Sequence, residues 1–193
     1  IIAEKHDAAK RIAQILAGRK PSSERVAGVD TYSVGDKVVM GLSGHIVGVD
    51  YPPGYNNWQK VDCKDLIRAE IVVRPIQEKI IAALQNLGKR ADRITIATDY
   101  DREGELIGVE ALKIVKEVNP SLHADRVRYS AIVKEEILKA FKDSGKVDFD
   151  LAASGEARQI IDLVWGAALT RYISLTSGRL GKEFLSVGRV QSP

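Results

Sequence analysis

The chain has one cysteine and one methionine among 193 residues. A single thiol, Cys63, excludes a disulfide framework within the chain and any zinc site of the paired-cysteine kind, and it fits a reducing compartment. No apolar run approaches the roughly 20 residues that a membrane span needs, and no signal-peptide pattern opens the sequence. A strong charge of either sign is missing as well. Against 26 Asp and Glu stand 29 Lys and Arg, a net +3, which permits contact with nucleic acid without demanding it. Internal repeats and low-complexity tracts are absent. So is an initiator Met: the chain opens inside an apolar strand pattern and stops on Ser192-Pro193, as expected of a piece cut from a longer polypeptide.

What is present describes a soluble globular protein, with 45% hydrophobic and 28% charged residues and a length sufficient for one core plus a smaller appendage. Residues 1–3 read as a buried strand, and apolar positions from 6 to 17 follow helical spacing up to Gly18. Residues 19–29 read as a polar loop, 32–34 and 37–40 as short strands about the turn Gly35-Asp36, and 41–55 as mostly loop. Beyond these the spacing predicts a helix over 76–87 ended by Gly88, a strand over 94–98, a helix over 104–117 and a strand over 126–129. This alternation argues for a small parallel sheet with helices on both faces. After Ile132 the pattern turns helical, with helices over 134–142 and 156–173, a connector over 146–154 and an irregular tail from Thr176. The expected division is an α/β domain over 1–131 and the start of a helical domain over 132–193.

The most informative stretch closes the predicted strand at 94–98. Asp99, Asp101 and Glu103 stand at alternate positions, and then the pattern becomes helical. Residues two apart on an extended chain project to one side, while Glu103 falls in the first turn of a helix, where the macrodipole favours negative charge. Carboxylates converging on one point repel each other unless a cation joins them, and a hard cation such as Mg²⁺ suits an all-oxygen set. A lone Asp-x-Asp is more often a turn former or helix cap. The third acid in phase, followed by Gly104 where a backbone can approach a ligand, favours a site.

Asp99-Tyr100-Asp101-Arg102-Glu103-Gly104-Glu105 resembles the acidic motif of the Toprim domain, a Rossmann-like α/β fold, in the version carried by type IA DNA topoisomerases. Two further segments resemble the same family. Ile1-Ile2-Ala3-Glu4-Lys5 resembles the first Toprim strand with its glutamate, and Leu185-Ser186-Val187-Gly188-Arg189-Val190-Gln191-Ser192-Pro193 the nucleotide-binding stretch beyond the domain. Glu4 is followed by Lys5-His6-Asp7-Ala8-Ala9-Lys10, as in the archaeal topoisomerase I and topoisomerase III branch. The resemblance implies an ATP-independent, Mg²⁺-assisted isomerase that breaks one DNA strand, passes another through and rejoins the break. It also implies a cytoplasmic, nucleoid-associated enzyme that binds single-stranded segments of DNA.

The same resemblance assigns roles residue by residue. Asp99, Asp101 and Glu103 would hold the metal. Glu4 would handle the proton of the 3′-oxygen, and Lys5 would stand as a cation near the scissile phosphate. His45, Arg102, Arg158, Asp162, Ser186, Arg189 and Gln191 would contact DNA. Each has a plainer explanation: Glu4 as a helix N-terminal carboxylate, Lys5 as a solvated charge, His45 as a structural histidine, Arg158 and Asp162 as an i,i+4 ion pair. Trp58 is able to stack on a base but equally able to pack its loop. Gly178-Arg179-Leu180-Gly181-Lys182-Glu183 has neither the spacing nor the Ser/Thr of a phosphate loop, so no nucleotide triphosphate site is expected. In the family the nucleophile is a Tyr followed two residues later by Arg in a Ser/Thr-rich context. Tyr32, Tyr51, Tyr55, Tyr100, Tyr129 and Tyr172 all lack that setting, so the nucleophile is expected in a later domain and the chain alone is expected to be inactive. The competing readings are a Toprim protein of another class, a primase or a nuclease, and a non-catalytic metal- and DNA-binding module.

Overall fold

The computed structural model describes residues 1–188. They form two compact units, Ile1–Val47 with Pro75–Gly155 and Gly48–Arg74 with Glu156–Pro193. The first carries a six-stranded sheet built from β1 (Ile2–Ala3), β2 (Ser22–Val26), β3 (Val29–Val34), β4 (Lys37–Gly41), β7 (Arg93–Ile96) and β8 (His123–Arg126), in the order β2-β3-β4-β1-β7-β8. Neighbours from β4 to β8 run parallel, and β2 and β3 extend one edge as an antiparallel hairpin.

Successive strand residues point to opposite faces, and each face has its own core. Ile2, Met40 and Ile96 join the cluster beneath α3 (Glu78–Gly88) and α4 (Arg102–Val118). Their neighbours Ala3, Val39 and Ala97 join the cluster beneath α1 (His6–Ala17) and α5 (Lys134–Lys142). The expected α/β architecture with helices on both faces is therefore observed. Each fully buried Ile or Leu in these clusters contributes about 1.5–3 kcal/mol.

Several local expectations need correction. Residues 19–29, read as a loop, contain β2 and the start of β3. β2 is exposed at four of its five residues, so it lacks the apolar alternation that marks a half-buried strand. The stretch read as loop over 41–55 contains β5 (Val47–Asp50), which pairs with β6 (Val72–Pro75) in a two-stranded sheet. The strand expected over 126–129 is displaced to β8. Gly88 closes α3 without a left-handed cap. It faces α4, where a Cβ would meet Val115 Cγ1 at 2.7 Å, so close helix packing explains the glycine.

The second unit contains α2 (Cys63–Arg68) and most of α6 (Phe149–Thr176), which begins seven residues earlier than its apolar spacing predicts. Asp62 caps α2 by accepting the Lys64 N–H at 2.8 Å. Arg171 on α6 donates to the Tyr55 carbonyl at 2.7 Å and lies 5.6 Å over the Trp58 ring, whose edge meets Phe184. Trp58 thus packs its loop within this unit. Among the described residues no helix is long and apolar enough to cross a membrane.

Candidate active site

The carboxyl ends of parallel strands in an open α/β sheet are where ligands bind, and here β1 and β7 lie side by side. Glu4 follows β1 and Asp99 follows β7 by three residues. Burial is the main influence raising the Glu4 pKa. The charges of Asp99 and Asp101 raise it further, while Lys5 and the Asp99 N–H act in the opposite direction. Lys5 is exposed, with its Nζ 4.0 Å from Glu4 Oε1. The structure thus brings Glu4, Lys5, Asp99 and Asp101 to one end of the sheet, with Asp99 and Asp101 both exposed to solvent.

Local chemistry fixes the turn that carries the acids. Asp101 caps α4: its Oδ1 accepts the Gly104 N–H at 2.8 Å. The helix enters so close to the strand end that a Cβ on Gly104 would stand 2.2 Å from the Asp99 carbonyl oxygen. Thr98 Oγ1 donates to the Gly104 carbonyl at 2.7 Å. Beneath the turn lies a fully buried ion pair, Arg126 Nε to Glu105 Oε2 at 2.5 Å. The same guanidinium donates to the carbonyls of Thr98 at 2.8 Å, Asp99 at 2.8 Å and Val127 at 2.6 Å, and Glu105 Oε1 accepts the Asp148 N–H at 2.8 Å. Removing one partner of such a pair typically costs about 3–5 kcal/mol. Tyr100 projects outward over Arg128, 4.9 Å from its ring centroid.

Glu103 takes a different direction. His45 stands between two carboxylates of α4, with Nε2 2.8 Å from Glu103 Oε1 and Nδ1 2.8 Å from Glu110 Oε1. Glu110 is buried, and its second oxygen accepts the Ile46 N–H at 3.2 Å. These acids raise the His45 pKa to about 9, the Glu110 hydrogen bond most of all, against the opposing effect of burial. The loop bearing His45 is tied to β1, since the Gly44 N–H donates to the Glu4 carbonyl at 3.0 Å. Ser43 and Gly44 both adopt positive φ, 61° and 84°. Among the described residues no three His, Cys, Asp or Glu side chains gather as a ready-made metal cage. A hard divalent ion needs only one or two carboxylates beside waters and substrate phosphates. The exposed pair Asp99 and Asp101, whose charge already disfavours ionised Glu4, fits that requirement.

Neither Glu110 nor Arg126 stands out in the sequence, and Tyr129 stands out there only as one of six tyrosines without the nucleophile's setting. Tyr129 donates to the Ala97 carbonyl at 2.6 Å, and burial, followed by the Asp99 charge, pushes its pKa up to about 12. The position of Glu110 seven residues after Glu103, two turns along one helix face, was the available signal. Arg102 is exposed at the start of α4, and a Cβ on Gly155 of α6 would lie 2.6 Å from its carbonyl oxygen. In the second unit Arg158 Nε lies 3.8 Å from Asp162 Oδ2, both partly exposed, and Ser186 is exposed beside Leu185 and Val187, which bond to Ser174 and Thr170 of α6. Arg189 and Gln191 lie outside the described residues.

The Toprim domain family matches residues 1–132, and the DNA topoisomerase family matches residues 146–193. Over its whole length the chain is 54% identical to DNA topoisomerase 1 of Archaeoglobus fulgidus and 48% identical to that of Thermoplasma acidophilum, spanning 29% and 25% of those proteins. It is 31% identical to human DNA topoisomerase 3-alpha, of which it spans 21%. Among solved structures, full-length topoisomerase I from Thermotoga maritima superimposes with a TM-score of 0.63 at 26% identity, over 99% of this chain and 28% of that one. The chain belongs to the Toprim family, in the form carried by type IA DNA topoisomerases, and spans under a third of each of these relatives.

Proposed function

We propose that this chain supplies the proton-handling and phosphate-organising half of an active site that breaks, passes and rejoins single DNA strands. The observation that carries the reading is the meeting of Glu4 with Asp99 and Asp101 at the carboxyl ends of two adjacent parallel strands. When the strand breaks, a tyrosine oxygen bonds to phosphorus and the bond from phosphorus to the 3′-oxygen opens. The tyrosine loses its proton and the 3′-oxygen gains one. Glu4, its pKa raised by burial and by two neighbouring carboxylates, holds the proton for that oxygen and takes it back on rejoining. Lys5 offers positive charge to the phosphate.

Asp99 and Asp101 would hold Mg²⁺, with Glu103 at the border of the site. A bound Mg²⁺ supplies positive charge to DNA phosphate oxygens. The family matches support a division into a Toprim domain over 1–131 and the start of a DNA-binding helical domain over 132–193. His45, Arg102, Arg158, Asp162, Ser186, Arg189 and Gln191 are the proposed DNA contacts, with Arg suited to phosphate by its planar fork of donors. The setting is the cytoplasm, on chromosomal DNA, and the partners are single-stranded segments and the remaining domains of the same polypeptide. ATP has no part in the reaction.

The test is relaxation of negatively supercoiled DNA by the polypeptide that joins this chain to its remaining domains. Relaxation that needs Mg²⁺ and no nucleotide is expected. Nicked or linear products that never rejoin would point to a nuclease instead.

A further inference from the structure

We propose that Glu110 is a positioning residue that holds His45 against Glu103, so that Glu103 is engaged by the imidazole and the divalent ion is left to Asp99 and Asp101. The inference rests on the reading of Asp99 and Asp101 given above and assigns a role to a carboxylate outside the acidic motif.

Glu103 and Glu110 lie seven residues apart on α4, about 10 Å along its axis, and the His45 ring spans the gap with one nitrogen on each carboxylate at 2.8 Å. Each ring nitrogen faces a carboxylate oxygen, so the imidazole links the two acids. The two ends of this bridge differ. Glu110 is buried, and its other oxygen is occupied by the Ile46 N–H at 3.2 Å, so it cannot follow the ring. The Glu103 side chain is 44% exposed. The buried acid is therefore the anchor, the ring the arm, and Glu103 the group that is moved. Gly44 reinforces the arm by bonding to the Glu4 carbonyl at 3.0 Å, which ties the His45 loop to the strand that presents Glu4.

The experiment uses the chain itself, with MgCl2 titrated calorimetrically and the His45 ring N–H groups followed by nitrogen-edited NMR. Both ring N–H signals are expected in the parent, protected from exchange by their carboxylate partners. Glu103→Gln should change Mg²⁺ affinity by less than about twofold, as a group that is not a ligand. Glu110→Gln preserves shape and the Ile46 bond but weakens the anchor; it should lose the protected ring signals and tighten Mg²⁺ binding by about three- to tenfold as Glu103 is released. The double variant should return to the parent affinity, because Glu110 acts through Glu103. Should Glu110→Gln destabilise the fold, His45→Gln releases Glu103 from the other side and should give the same tightening. Unchanged ring signals in Glu110→Gln, or tightening that persists in the double variant, would overturn the proposal. A parent that binds no Mg²⁺ would defeat the reading of Asp99 and Asp101 instead, and the ring signals would still decide whether Glu110 holds His45.

Discussion

Added Mg²⁺ will raise the melting temperature of this chain, and the gain will disappear in an Asp99→Asn, Asp101→Asn double variant. Both carboxylates are exposed, and their charges reach Glu4 strongly enough to raise its pKa. A cation bound only by the folded state stabilises it by mass action, about 2.7 kcal/mol when present at a hundred times its dissociation constant. The substitutions leave the start of α4 intact, because Asn caps a helix about as well as Asp and the bond from the Gly104 N–H to residue 101 is preserved. Thermal unfolding with and without Mg²⁺ makes the comparison. Equal gains in parent and variant would place the ion elsewhere.

Glu4→Gln will make the chain more stable at neutral pH and the enzyme far slower. Folding raises the pKa of Glu4, through burial first and then the charges of Asp99 and Asp101. A carboxyl raised on folding favours the protonated form. Its favourable contribution is complete below the unfolded value, about 4.3, and is lost as pH rises through the folded one. At pH 7 the ionised group therefore opposes folding, and glutamine, which carries no charge, does not. Melting temperature should rise by a few degrees at pH 7, and the difference should shrink to nothing below about pH 4. In the longer polypeptide the same change should lower the rates of cleavage and rejoining by about 10²–10⁴, the usual contribution of a general acid–base group. A stability gain confined to acid pH would contradict the environment described for Glu4, and an undiminished rate would contradict its role.

Most of the first unit was legible because its strands and helices carry strong apolar periods. The helix over 6–17 and its stop at Gly18 are as expected, with Gly18 at φ 64° closing the helix. The strand over 94–98 and the helix after it are found within two residues of their expected limits. The hairpin strand β2 was illegible because Ser22, Ser23, Glu24 and Arg25 have no apolar face to bury. β5 was hidden among glycines and prolines, whose local preference for turns is overridden by pairing with β6.

The candidate site shows a similar boundary. Asp99 and Asp101 stand in irregular backbone beyond the end of β7, not on an extended strand, yet both act on Glu4, which the equivalence of strand ends had brought toward them. The partner of Glu103 lies 58 residues away on a loop with positive φ at Ser43 and Gly44, a placement no local pattern announces. The Arg126–Glu105 pair needs the register of β7 against β8, which sets Ile96 opposite Arg126. Glu105 was visible in the motif, but its burial was not.

On the proposed reading this chain carries the proton-handling half of a cleavage site, and the nucleophile lies in a later domain. A 3′-labelled single-stranded oligonucleotide, incubated with Mg²⁺ and resolved on a denaturing gel, tests it most directly, because a tyrosine joined to the 5′ end retains the labelled piece. A labelled covalent adduct is expected from the longer polypeptide and none from this chain alone, whose Tyr129 is bonded to the Ala97 carbonyl and whose other tyrosines lack the nucleophile's setting. A labelled adduct formed by the chain alone, or none formed by the longer polypeptide, would contradict it.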